Sequence, residues 1–202
     1  MIHNMTEGEW VTLSEENLEE LARPDYSYLE EYDAMALWSE VLPGLWQGGT
    51  DGREDFHYGV SPGASSLITK KDFDTVVTLY GRAMPVDWHV KELRFGVYDS
   101  AMDDFDPRDL FELVKTAHTD WKNGKRVLIR CQAGWNRSGL ITALVLMREG
   151  YTAKSAVKLI REKRSRSALC NRHFEDFLYQ EDPRVWRGNT YGYTPKKKRV
   201  KN

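Results

Sequence analysis

The chain has 202 residues, 41% of them hydrophobic and 30% charged, enough for one ordinary domain with a full core and too apolar for wholesale disorder. Its two cysteines, Cys131 and Cys170, build no disulfide framework, its five histidines show no ligand spacing, and no apolar run approaches membrane-spanning length. The formal net charge of −2 is not the balance of a nucleic-acid binder.

Residues 1–40 are read as an acidic helical extension, with eleven acidic groups against the single Arg23, while the remainder carries a balance of +8. Thr12 with Glu15 and Ser27 with Glu30 read as capping boxes of two helices, broken at Arg23-Pro24-Asp25. Tyr28, Met35, Leu37 and Trp38 give the second helix an apolar face. The start, MIHNMTEGEW, has neither a basic opening nor an apolar stretch and is not read as a secretory signal.

Residues 41–185 are read as an α/β domain. Val41–Trp46 is a short strand and turn around Pro43-Gly44, followed by a long polar connection over 50–70. Phe73–Leu79 and Val90–Val97 are strands. Asp106-Pro107 opens a helix with cap and first-turn residues in their preferred places, Leu110, Phe111, Val114 and His118 form its apolar stripe, and Asn123-Gly124 ends it. Val127–Ile129 is the next strand. Helices follow over Ser138–Glu149, about Thr152–Lys163 and about Arg172–Tyr179. The alternation predicts a mostly parallel central sheet flanked by helices. Residues 186–202 form a basic tail. Its Pro195-Lys196-Lys197-Lys198-Arg199 resembles a nuclear-import signal, with a merely solvated tail as the alternative.

One stretch carries chemistry: Arg130-Cys131-Gln132-Ala133-Gly134-Trp135-Asn136-Arg137-Ser138. It joins a strand to a helix start through a tight loop. The amides of such a loop and the helix dipole favour an anion there, and they hold a neighbouring cysteine as thiolate. Arg137 has the planar fork that bonds two phosphoryl oxygens at once, and Gly134 allows close backbone approach. Ser138 could donate to the sulfur. A carboxylic acid must protonate the leaving oxygen, and Tyr98–Asp106 supplies four aspartates at a strand's carboxyl end, where sites form in open α/β sheets. Asp103 and Asp104 are alternatives for that role, and Asp106 reads as a helix cap. Cys170 reads as a buried small residue, with a resolving partner for oxidised Cys131 as the sharper alternative.

These residues resemble those of the cysteine-dependent protein tyrosine phosphatases of the small dual-specificity type, whose HCxxGxxRS motif compares with RCQAGWNRS here. Asp99, 32 residues before Cys131, matches the family's general acid, and Leu42–Gly48 and Asn171, Phe174 and Leu178 resemble its entry strand and closing helix. The resemblance covers roughly residues 40–180. It implies a tyrosine-phosphatase-like fold, attack of Cys131 on phosphorus, Asp99 as acid and then base, and phosphoryl oxygens held by Arg137 and the amides of residues 132–137. Trp135 and Asn136 are placed at the rim. No cofactor or metal is implied. The expected partner is a phosphorylated protein or peptide, with phosphate or another oxyanion in the loop and no membrane. The alternatives are a phosphopeptide-binding pseudophosphatase and a phosphatase acting on RNA 5′ or other small phosphate esters. A reducing, cytoplasmic setting is expected, or the nucleus if the host is eukaryotic and the tail is read. The departure is Arg130, where the family usually has histidine.

Overall fold

The computed structural model describes residues 3–6, 9–12, 36–50 and 68–188. The chain divides into two compact units, Met1–Ala34 and Met35–Asn202. The first unit holds a hairpin absent from the sequence reading, β1 (His3–Thr6) antiparallel to β2 (Glu9–Thr12). Thr6, Trp10, Val11 and Thr12 are strand-favouring residues, and Gly8 separates the two runs. The two expected helices fall mostly on residues 13–35, outside the described part of the chain, as do most of the 50–70 connection and residues 189–202.

The second unit is built on a five-stranded sheet. β3 (Trp38–Leu42) turns at Pro43-Gly44 into β4 (Leu45–Gly48), so the expected single strand is a hairpin. Trp38 therefore belongs to a strand rather than to the helical extension, because its ring packs edge-on against Phe73 at 5.1 Å on one face of the sheet. The remaining strands are β5 (Thr75–Thr78), β6 (Lys91–Arg94) and β7 (Val127–Arg130). The order is β3-β4-β7-β5-β6, antiparallel only between β3 and β4.

The helices are α1 (Pro107–Lys122), α2 (Arg137–Glu149), α3 (Ala153–Lys163), α4 (Arg172–Gln180) and α5 (Pro183–Arg187). Asp106 caps α1 as expected, accepting from the amides of Arg108 and Asp109 with Pro107 in the first turn. Side chains alternate across the strands, and an apolar cluster packs on each face. Val77, Val127 and Ile129 join the main core with apolar residues from all five helices. Val76 and Leu128 point the other way, to Ile68, Phe73, Val86 and Val90. Leu140, Ile141 and Leu144 of α2 are fully buried, each worth about 1.5–3 kcal/mol of transfer free energy. This anchors the start of α2 against the carboxyl end of β7.

Candidate active site

Three segments meet at the carboxyl ends of the parallel strands: Tyr80–Pro85 after β5, Phe95–Asp106 after β6, and Cys131–Asn136 between β7 and α2. The third is shaped by a backbone crossing. Gly134 has φ +78°, and a Cβ there would lie 2.4 Å from the carbonyl carbon of Gly48. A Cβ on Gly49 would lie 2.7 Å from the Gln132 carbonyl oxygen. The two backbones are tied where they pass: the Cys131 amide donates to Gly48 O (3.2 Å) and the Thr50 amide to Gln132 O (2.9 Å).

Two buried polar side chains that sequence reasoning missed support the loop from beneath. Gln47 Nε2 donates to Gly134 O at 3.0 Å. Arg164 Nε donates to the same oxygen at 3.2 Å and Nη2 to Ala133 O at 3.4 Å, while Nη1 reaches Ala36 O and Ser39 Oγ. Burial pulls the Arg164 pKa below its ordinary value, and the Cys131 charge acts in the opposite direction. Arg164 is thus a buried cation within electrostatic reach of the sulfur. A glutamine in an otherwise apolar strand was the one available signal for Gln47; nothing in the pattern around Arg164 distinguishes it from the neighbouring Arg161.

Cys131 is 1% exposed. Its Sγ accepts the Gly134 amide at 3.3 Å and lies 3.3 Å from Ser138 Oγ. Gln132 and Ala133 are exposed on the loop and Trp135 is half-buried. Asn136 makes contacts that the sequence did not suggest. It stands at the N-cap of α2 but makes no side-chain cap bond; its Oδ1 instead accepts from the Asn171 amide (3.1 Å) and from Cys170 Sγ (3.3 Å). It is half-buried and ties the loop to the Cys170-Asn171 turn. Cys170, expected to be buried, is exposed, because that short turn presents it outward beside Asn136.

Arg137 and Ser138, the first residues of α2, are buried. Arg137 Nη1 donates to Val97 O at 3.0 Å, and its guanidinium lies over the Tyr80 ring at 5.5 Å. Its Nε is buried and has no hydrogen-bond partner among the described residues. A buried donor left open in this way fits an anionic oxygen.

Asp99 Oδ2 is 4.0 Å from that Nε. Asp99 Oδ1 accepts from Asn171 Nδ2 at 2.8 Å, and the same amide group donates to Ser100 O at 2.9 Å. Asn171 Oδ1 meanwhile accepts the His173 amide, capping α4. Asn171 therefore both caps α4 and supports the Asp99 loop. Asp103 is exposed on a single 3-10 turn over Met102–Asp104, and the Asp104 side chain is outside the described part. Among the described aspartates of this segment, Asp99 is the one paired with Arg137. His118 packs on its helix as expected and meets Glu149 Oε2 at 2.8 Å. Among the described residues no cluster of three or more His, Cys, Asp or Glu could hold a metal ion, and no helix is long and apolar enough to cross a membrane.

Comparison with known proteins sets this geometry in context. No curated protein matches the chain. Solved structures do. Human DUSP28 superimposes with a TM-score of 0.55 at 20% identity, over 71% of this chain and 90% of that one. A mouse putative dual specificity phosphatase complexed with zinc tungstate gives 0.52 at 20% identity, over 74% and 91%. The human tyrosine phosphatase-like serine/threonine/tyrosine-interacting protein gives 0.53 at 18% identity, over 70% and 92%. The profile described as dual specificity phosphatase, catalytic domain, matches residues 60–182. That span takes in the Asp99 segment, the Cys131 loop, Arg137 and Asn171, and it places the chain in the dual-specificity phosphatase family of the cysteine-dependent tyrosine phosphatase superfamily.

Proposed function

We propose that the chain is a metal-independent phosphoprotein phosphatase that hydrolyses phosphotyrosine, with phosphoserine and phosphothreonine as further substrates, through a phosphocysteine intermediate. The observation that carries this reading is the convergence on Cys131 Sγ and Arg137: an amide and a hydroxyl at 3.3 Å from the sulfur, and an open buried guanidinium donor beside a carboxylate.

In the first step the Cys131 thiolate attacks phosphorus. The bond to the leaving oxygen breaks, and that oxygen takes its proton from Asp99. Arg137 and the loop amides of Gln132, Ala133, Gly134, Trp135 and Asn136 hold the non-bridging oxygens, where charge is spread in the transition state. In the second step Asp99, now a carboxylate, takes a proton from water as the water oxygen attacks the phosphocysteine. Inorganic phosphate leaves and the sulfur returns as thiolate, with Ser138 donating to it. Asn171 keeps Asp99 in place, and Asn136 links that support to the nucleophile's loop. The catalytic domain extends to about residue 185, with the acidic extension before it and the basic tail after it. A reducing cytoplasmic setting keeps Cys131 free.

The test is hydrolysis of an aryl phosphate in EDTA by wild type, Cys131→Ser and Asp99→Asn. Turnover is expected in wild type, absent in the serine variant and down about 10²-fold in the asparagine variant. A folded wild type without turnover would replace this reading with phosphopeptide capture. Phosphotyrosine and phosphoserine peptides compared on the active enzyme then assign the substrate class.

A further inference from the structure

Arg130 precedes the nucleophile, yet it faces away from it. Val127, Ile129 and Cys131 share one face of the sheet, and the period of two sends Leu128 and Arg130 to the other. The Arg130 side chain is 2% exposed. A guanidinium so buried needs both a counter-charge and hydrogen-bond acceptors, and it has them. Nε donates to Thr78 Oγ1 at 3.0 Å, and Nη2 to Met84 O at 2.6 Å and to Glu92 Oε1 at 3.4 Å. Thr78 Oγ1 in turn donates to Glu92 Oε1 at 2.6 Å.

A second guanidinium shares the carboxylate. Arg94 Nη2 lies 3.3 Å from Glu92 Oε1 and donates to Ala83 O at 2.6 Å, while Nη1 donates to Gly81 O at 3.3 Å. Two arginines and one glutamate thus grip three carbonyls, those of residues 81, 83 and 84. The segment they grip begins at Tyr80, whose ring lies against the Arg137 guanidinium, which also bonds Val97 O. With its side chain on the opposite face of the strand and bonded to Thr78, Met84 and Glu92, Arg130 is poorly placed to act on the sulfur. An apolar residue would fill the same space at no electrostatic cost. What the arginine adds is a fixed direction for the Met84 carbonyl, and through it a fixed Tyr80.

We propose that Arg130 is a positioning residue for phosphoryl binding: with Glu92 and Arg94 it holds the Tyr80–Pro85 segment so that the Tyr80 ring backs the Arg137 guanidinium. This rests on the reading of the Cys131 loop and Arg137 as the phosphoryl site. Arg130 tunes ligand affinity, not ionisation of the nucleophile.

The experiment uses the full chain and follows alkylation of Cys131 by iodoacetamide, read by mass spectrometry, with and without inorganic phosphate. Arg130→Met keeps the volume and leaves Glu92 paired with Arg94. Arg130→Met and Tyr80→Leu are each expected to weaken phosphate protection, and to raise KM for an aryl phosphate, about 5- to 10-fold. The double variant is expected to be no weaker than the weaker single variant, because both remove one support. The pH of half-maximal alkylation without phosphate is expected to match wild type in Arg130→Met. Arg94→Gln, on a partly exposed side chain, is expected to shift affinity in the same direction by about 3-fold, and it serves if Arg130→Met does not fold. A moved alkylation midpoint with unchanged phosphate protection overturns the proposal, as does strict additivity in the double variant. Wild type that phosphate does not protect overturns the phosphoryl-site reading itself. Wild type that is protected, with variants protected equally, overturns the role of Arg130 alone.

Discussion

The two ends of the parallel strands use the same residue types to opposite effect. At the amino end Asp120 is nearly buried, and three side chains are aimed at it: Thr75 Oγ1 at 2.9 Å, Lys91 at 2.8 Å and Lys125 at 2.7 Å. Burial pushes the Asp120 pKa up, but the bonds from Lys125, Lys91 and Thr75 outweigh it and hold the carboxyl below its ordinary value. Nearby, Asp74 is held lower still by Lys70 and by the Arg126 amide and guanidinium. At the carboxyl end Asp99 is one-third exposed, and a buried donor of Arg137 has no hydrogen-bond partner among the described residues. The carboxyl end also holds the one described non-glycine residue with positive φ, Leu169, whose amide donates to Trp135 O. Closed polar groups hold a fold, whereas open ones are available to a ligand, and strain tends to collect with them.

The sharpest way to break this contrast is at the backbone crossing. Gly134→Ala must give up the positive φ or push Gly48 away, and either moves the Gly134 amide off the sulfur. Turnover should fall about 10²-fold or more, with phosphate protection of Cys131 lost in parallel. Near-normal turnover would mean that the loop tolerates far more movement than its packing allows.

The amino end should answer in stability instead. Asp120→Asn removes the charge that two lysines and a threonine address, at an expected cost of about 2 kcal/mol, read from the urea midpoint. The pH dependence has a definite sign. A carboxyl whose folded pKa is depressed stabilises the fold above its unfolded value, near 3.9, and that stabilisation is lost as pH falls through the lower folded value. Wild type should therefore lose more stability than Asp120→Asn on acidification below about pH 4, while turnover at neutral pH stays close to wild type in both.

The same contrast explains what the sequence could reveal. The strand, loop and helix around Cys131 were legible because an apolar run, a glycine and a helical stripe lie next to one another. The Asp106-Pro107 cap was legible for the same local reason. Asp99 needed the family's spacing, since four aspartates in nine residues look alike. Arg164 and Tyr80 were not legible and Gln47 left only the trace of a glutamine in an apolar strand, because each acts across a gap of dozens of residues. Trp38 was misassigned because the acidic pattern before it runs on without a break, and only its contact with Phe73 places it in a strand. Cys170 was misassigned because a lone small residue carries no sign of the turn that exposes it.

A subtler cut lies on the strut between Asp99 and the Cys131 loop. Asn171→Ala removes the donor to Asp99 and Ser100 while leaving Cys131 and Arg137 untouched. We expect kcat to fall about 10-fold with KM nearly unchanged for an alkyl phosphate, which needs its leaving oxygen protonated. An aryl phosphate with a very acidic phenol needs little help and should lose much less. An equal loss on both substrates would assign Asn171 to the fold rather than to Asp99.

The smallest expected effect concerns a pair that looks like a salt bridge between α1 and α2. His118 Nε2 meets Glu149 Oε2 at 2.8 Å, but burial lowers the His118 pKa by more than Glu149 raises it, and Arg148 and Lys122 add to the lowering. Glu149 is already held as a carboxylate, chiefly by Lys122. His118 is then a neutral hydrogen-bonding partner near neutral pH, a closed group like those at the amino end. Its folded form binds a proton less readily than the unfolded chain, whose histidine titrates near 6.5. As pH falls through that value the unfolded state takes up more protons, and stability declines. Between about pH 7.5 and 5.5, either side of that value, the urea midpoint of wild type should drop slightly more than that of His118→Gln; the other histidines are common to both, and His89 and His173 are exposed. A wild-type midpoint that instead rises relative to the variant would identify a charged His118–Glu149 bridge and move this contact out of the closed, neutral class.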